Sequence, residues 1–203
     1  MAKHHPLGDI EYLRETHLQR YKSGFPILKE LVQNAEDAES TAFDYGWTNG
    51  LEKADHPLLQ CPAIFILDNG KFTYKNAKAI QYMIGGSSKT TEENAIGKFG
   101  LGLKCVFHLC EAFFYVSSQK IYENEDDLSL NYPGFSFFNP WANDNNEDSY
   151  HINWKDLSES DRDKIIEKIQ PILDQEEYIN TNNWLLFWLP LRQEEHKTEK
   201  DKE

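Results

Sequence analysis

Residues 27–41, ILKELVQNAEDAEST, carry two stripes at helical spacing. Ile27, Leu28, Leu31, Val32 and Ala35 make an apolar stripe, the repeat of a helix packed on a core. Glu30, Asn34 and Asp37 fall at i, i+4 and i+7 and stack along a second stripe. Taken alone, an acid–amide–acid row on a helix is an ordinary solvated face. Its meaning depends on what the rest of the chain places beside it.

The bulk numbers set the frame. With 203 residues and 39% hydrophobic content, the chain suits one globular domain with a sizeable core, and twelve Phe, ten Tyr and five Trp supply much of its apolar volume. The net charge of −13 argues against a nucleic-acid clamp, which needs clustered Lys and Arg, and against docking on anionic lipid. Cys61, Cys105 and Cys110 are an odd count without a C-x-x-C pair, which reads as reduced thiols rather than a disulfide framework or zinc site. The start lacks an apolar signal-peptide core and no apolar run is long enough to span a bilayer. The expectation is a cytoplasmic protein that touches neither membrane nor nucleic acid directly.

Along the chain, residues 9–22 read as a helix with Ile10, Leu13 and Leu18 on one side, and Ser23-Gly24 breaks it before Pro26 opens the next. That second helix is expected to run to about Phe43, followed by a turn-rich connection through Gly46, Gly50, Pro57 and Pro62. AIFILDNG reads as a buried strand ended by a turn, 73–84 as a helix, and GGSSKTTEENA as a polar loop. IGKFGLGLKCVFHLC places three glycines before an apolar helix, AFFYVSSQKIY is strand material, and 123–148 is acidic and irregular. A helix follows a serine cap near 158, with Pro171 bending or ending it, and NWLLFWLPL predicts a central strand. Residues 193–203 have no apolar side chain and read as a charged tail or a linker to a further region.

Two stretches have the chemistry of a site. GKFGLG, residues 97–102, opens a helix, where glycine amides and a helix N-terminus can close on an anion; a tight structural turn explains it equally well. It is neither a phosphate-binding P-loop nor a dinucleotide fingerprint. In LDNGKFT, Asp68 ends a buried strand, as a turn aspartate or as an acceptor held in an apolar pocket for a purine's exocyclic amine.

The order of these pieces resembles the Bergerat-fold (GHKL) ATPases, the group that includes type II topoisomerase subunits, ninety-kilodalton heat-shock chaperones and histidine kinases. ILKELVQNAEDA and IGKFGLGLKCVFHLCE are similar to the sacsin-branch patterns LKELIQNADDA and GRFGLGFKSVYHLTD. GFSFFNPW (134–141) and WLLFWLPLR (184–192) are looser echoes of the same branch. The likeness spans about residues 20–192.

What the resemblance implies is a pocket for an adenine nucleotide, ATP or ADP, with Mg²⁺. Asn34 would hold the metal through its side-chain oxygen, a hard donor for a hard cation. Glu30 would orient and deprotonate the attacking water. Asp37 would lie deeper and support the adenine end, with Ala38 beside it. Asp68 would accept from the adenine amine, and Gly70 would let the base approach the backbone. Gly97, Lys98, Phe99, Gly100, Leu101 and Gly102 would cradle the phosphates, and Ser87, Ser88 and Lys89 would belong to a lid over 85–95.

Two departures stand out. Phe72 replaces the second glycine of the DxGxG box, and a threonine that often assists adenine binding would fall near Leu185, with Thr181 the nearest hydroxyl. The resulting expectation is an α/β two-layer sandwich over residues 1–192, with helices on one face of a mixed, mostly antiparallel sheet. Its function would be slow ATP hydrolysis that drives a lid and self-association switch for a larger chaperone-like, regulatory or defence protein. The competing reading is a nucleotide-holding interaction module with little turnover. Glu30 favours hydrolysis, and no phosphoacceptor helix hairpin points to a kinase.

Overall fold

The computed structural model describes residues 26–73, 76, 103–110, 112–118, 136–138, 151–153 and 157–192. The first element is the helix α1, Pro26–Asp37. Ile27, Leu31, Asn34, Ala35 and Ala38 form its buried side, whereas Val32, placed on the apolar stripe by spacing, is exposed. The helix stops six residues short of Phe43. Glu39 takes a left-handed conformation (φ 60°), Ser40 N–H donates to Ala35 O at 2.9 Å and Glu39 N–H to Glu36 O at 2.9 Å. This is a Schellman stop with glutamate where glycine is usual, so its signature is absent from the sequence.

The chain turns back at once into β1, Phe43–Thr48, within the stretch expected to be a connection. It pairs antiparallel with β2, Ala63–Asp68, and Gly46 lies opposite Phe65. A Cβ on Gly46 would sit 2.2 Å from Phe65 Cζ, so the ring covers the gap that the glycine leaves. β2 then pairs with β6, Leu185–Pro190, which also pairs with β3, Phe113–Ser117. Strands β4, Ser136–Phe138, and β5, His151–Asn153, complete the order β1-β2-β6-β3-β4-β5. β6 is central, as its apolar run predicts.

Every strand pairing among the described residues is antiparallel, in keeping with the expected mostly antiparallel sheet. The two-layer arrangement is corrected, because both sheet faces are covered. On one face Ile66, Phe187, Leu189, Phe113 and Tyr115 pack with α1 and a 3-10 helix, Leu103–His108. On the other, Phe65, Leu67, Trp188, Leu186 and Phe114 pack with α2, Glu159–Leu173, with α3, Glu176–Thr181, and with the connection around Leu51–Leu59. The strands AIFIL, FFYV and LLFWL are accordingly apolar at every position rather than alternating.

α2 begins at the expected serine. Ser158 Oγ accepts Asp161 N–H at 3.1 Å, and Pro171 is tolerated inside the last turn, which runs on to Leu173. The buried Asp161 carboxylate accepts Asp55 N–H at 2.7 Å and His56 N–H at 2.9 Å, which ties the 50–60 connection to the helix start. The helix expected over 9–22 and, apart from Thr73 and Asn76, the one expected over 73–84 lie outside the described residues. After the glycine segment, only the 3-10 helix Leu103–His108 is described where an apolar α-helix is expected.

Candidate functional site

Asp68 ends β2 on the face that carries Ile66, opposite the C-terminal half of α1. Its carboxylate is 5% exposed and its Oδ1 accepts Gly70 N–H at 2.9 Å. Burial pushes the carboxyl up to about 6, against the pull of that N–H. Asn34 faces the same space from α1; its side chain is buried and its Nδ2 has no hydrogen-bond partner. Leaving such a donor unsatisfied costs about 1–3 kcal/mol, so its retention calls for a functional explanation.

Asn34 and Asp68 line a cavity walled by Leu31 and Ala35 of α1, by Ala38 just after it, and by Leu185 and Phe187 of β6. Its volume is about 10 Å³, the room of about one water. The fit to an adenine nucleotide is therefore one of chemistry: an anionic acceptor and a free amide inside apolar walls. α1 would have to part from β6 to admit a purine. Glu30, one turn before Asn34, is half-buried. Its charge helps raise the thiol of Cys105, in the 3-10 helix that packs on α1, to about 12, with burial the larger cause. The amide oxygen of Asn34 is a donor of the kind a hard divalent cation would take. Among the described residues no cluster of three His, Cys, Asp or Glu side chains forms a metal site of another kind.

The family model for the Sacsin domain matches residues 10–203. The chain belongs to the sacsin-domain family. Sacsin of Homo sapiens is 34% identical over 119 residues, which cover 55% of this chain and 2% of the human protein. This sacsin domain thus spans a small fraction of that relative's length.

Within the sacsin domain, the structure brings Asn34, Ala38, Asp68 and Gly70 together, and Glu30 is half-buried one turn before Asn34 on α1. Asp37 is not among them: its side chain is exposed, not deep at the pocket's base. At 100° per residue it stands about 60° further round α1 than Asn34, away from the buried side. Gly70 is held close by protein rather than left open, since a Cβ there would lie 2.7 Å from Ala38 Cβ and 3.0 Å from Asp68 Oδ1. Ser87, Ser88, Lys89, Gly97, Lys98, Phe99, Gly100, Leu101 and Gly102 lie outside the described residues, as does the expected lid.

Leu185, which the resemblance aligns with the missing threonine, lies directly across β2–β6 from Asp68. Thr181 does not replace it, because its side chain is exposed and its Oγ1 bonds Glu177 O and Tyr178 O at the end of α3. The nearest buried hydroxyl in register is Ser117, which faces Leu185 from β3.

Sequence reasoning passed over Asn69 as a turn residue. It is the brace of the site. Its Oδ1 accepts Thr41 N–H at 2.8 Å and Ala42 N–H at 2.9 Å, and its Nδ2 donates to Thr41 Oγ1 at 2.9 Å and Glu177 O at 3.0 Å. One amide thus holds the α1–β1 turn, the end of β2 and α3 together, which fixes the position of Asp68 and Gly70 on either side of it. The signal available was the capacity of asparagine to hydrogen-bond backbone in turns, which does not say which backbone.

Proposed function

We propose that this sacsin domain binds ATP with Mg²⁺ and hydrolyses it slowly to ADP and phosphate, as a nucleotide-driven switch inside a larger protein. The observation that carries the reading is the pairing of a buried carboxylate, Asp68, with a buried unpartnered amide, Asn34, across one apolar cavity. Asp68 would accept the exocyclic N–H of adenine, and a base lacking that donor would leave the carboxylate buried and unsatisfied, which is the source of selectivity. Leu31, Ala35, Leu185 and Phe187 would take the faces of the ring.

Asn34 would hold the Mg²⁺ that, when bound, offsets the phosphate charge. Glu30, one turn away on the same helix, would take a proton from the water that attacks the γ-phosphorus as the bond to the ADP oxygen breaks. Its half-buried side chain suits a group that must reach both solvent and substrate. Self-association and coupling to a client or downstream domain belong to the same proposal.

Calorimetric titration of Mg·ATP into wild type, Asn34→Ala and Glu30→Ala, paired with phosphate release, tests it. Wild type is expected to bind and turn over, Asn34→Ala to lose binding, and Glu30→Ala to bind without turnover. Wild-type binding without turnover would make the domain a nucleotide-held interaction module. No binding of any adenine nucleotide would overturn the reading.

A further inference from the structure

Away from the candidate site, an apolar groove of about 410 Å³ runs between the first turns of α1 and the outer strands of the sheet. Ile27, Leu28 and Leu31 line it from the helix, Tyr45 and Trp47 from β1, and Ile64 from β2. Tyr45 and Trp47 are 67% and 53% exposed with the whole 203-residue chain in place, so the chain itself leaves them uncovered.

Their backbone is open too. Among the described residues β1 has one neighbour, β2, and so forms an edge of the sheet. Asn69 N–H donates to Ala42 O at 3.3 Å on one side of the β2 line, and Leu191 N–H to Pro62 O at 2.8 Å on the other. Bonding direction alternates along an antiparallel strand. In this register Asp44, Gly46 and Thr48 therefore bond toward β2, and the N–H and C=O groups of Phe43, Tyr45 and Trp47 point outward. FDYGWT holds neither the lysine nor the proline that guards many such edges. On the opposite face of the same strand stands Asp44, half-buried, with Oδ2 accepting Tyr178 O–H at 2.9 Å.

We infer that the β1 edge receives an extended segment of a partner protein as an added antiparallel strand, its apolar side chains toward the groove alternating with Lys or Arg toward Asp44. The outward row of backbone donors and acceptors calls for a strand and not a helix. Residues opposite Tyr45 and Trp47 project on the α1 face and cover the two rings, and the residues between them project beside Asp44. A cation there meets that carboxylate and a chain of net charge −13. A second copy lacks this complementarity, because its β1 carries no basic residue and it brings the same net charge. The inference does not rest on nucleotide binding.

Fluorescence anisotropy of the labelled peptide Lys-Ile-Lys-Ile-Lys-Ile-Lys with the full chain, without nucleotide, tests it. The peptide is expected to bind, and Tyr45→Lys or Trp47→Lys, both at exposed side chains, to weaken it at least about tenfold. Methyl groups on the isoleucine nitrogens, which face β1 in this pairing, should abolish binding, whereas methyl groups on the lysine nitrogens should leave it. Replacing lysine by glutamine should cost about threefold or more, and most of that difference should vanish in Asp44→Asn. No binding of the alternating peptide would overturn the inference. So would binding kept by the isoleucine-methylated peptide, or equalled by one of the same composition with its isoleucines in a single block, since charge or apolar contact alone would then suffice. A dimer seen in sedimentation and abolished by Tyr45→Lys would overturn it as well, with a second copy as the occupant.

Discussion

Gly70 lies so close to the end of α1 that a methyl group on it would stand 2.7 Å from Ala38 Cβ. Lys71 N–H donates to Ala38 O at 2.9 Å just beyond it, so the backbone there has little room to move away. Gly70→Ala is expected to push α1 from the end of β2 and to destabilise the fold by about 1–3 kcal/mol, read from urea midpoints. Nucleotide binding should weaken with it. An unchanged midpoint would mean that α1 yields freely at this contact.

Asn34→Leu is expected to act in opposite directions on stability and function. Removing the unpartnered Nδ2 and extending the apolar wall should stabilise the fold by about 1 kcal/mol. The same change removes the only polar group that buried α1 offers the cavity, so Mg·ATP binding should disappear. Thermal melts and calorimetry on one preparation read both, and a destabilised variant would show that the amide has a structural role.

The Asp68 carboxyl, raised from 3.8 to about 6, makes folding depend on pH in a direction opposite to that of a salt-bridged acid. The folded state binds the proton more tightly than the unfolded chain. Its stabilising effect is therefore complete below about 4 and is lost as pH rises through about 6, a change of about 3 kcal/mol. Asp68→Asn should flatten that segment of the stability curve. Nucleotide binding should show the reverse dependence, because an amine donor favours the ionised carboxylate: affinity should rise between pH 5 and 7 and then level off. Isothermal titration in buffers of different ionisation enthalpy would register proton release at pH 5.5, and none at that pH would remove Asp68 from the binding site.

Glu39 holds the left-handed residue that ends α1. A side chain there costs about 1 kcal/mol relative to glycine. Its ion pair with Lys71 is mostly exposed and contributes little. Glu39→Gly is thus expected to stabilise the protein by about 0.5–1 kcal/mol, and a loss of stability in chemical denaturation would show that the pair matters more than the backbone.

Asp161 is 1% exposed and serves two backbone donors from the 50–60 connection. Asp161→Ala should cost about 2–3 kcal/mol by stranding both N–H groups. Hydrogen exchange at Asp55 and His56 should accelerate selectively, and exchange that stays slow would place the anchor of that connection elsewhere.

Much was legible from the residues alone where the signal is local or carried by a long motif. The apolar runs of β2 and β6, the serine cap of α2 and the start of α1 at Pro26 follow from chemistry within a few residues. The two motif stretches pointed to the sacsin family, to which the chain belongs. The covering of both sheet faces was also written in the unbroken apolar strands, though it was read there as a one-sided sheet.

What only tertiary structure decided is how the elements meet. β1 is a strand because Phe65 covers Gly46 and β2 supplies its partners, neither of which is visible in FDYGWT. α1 ends at Asp37, with a left-handed Glu39 after it, where Asn69, some thirty residues on, braces the following turn. Helical spacing set Glu30, Asn34 and Asp37 in a row, but the line along which α1 rests on the sheet chose among them. Asn34 turned inward, Glu30 stayed half-buried and Asp37 went to solvent, because a contact between two packed surfaces is a property of both and a sequence stripe describes only one.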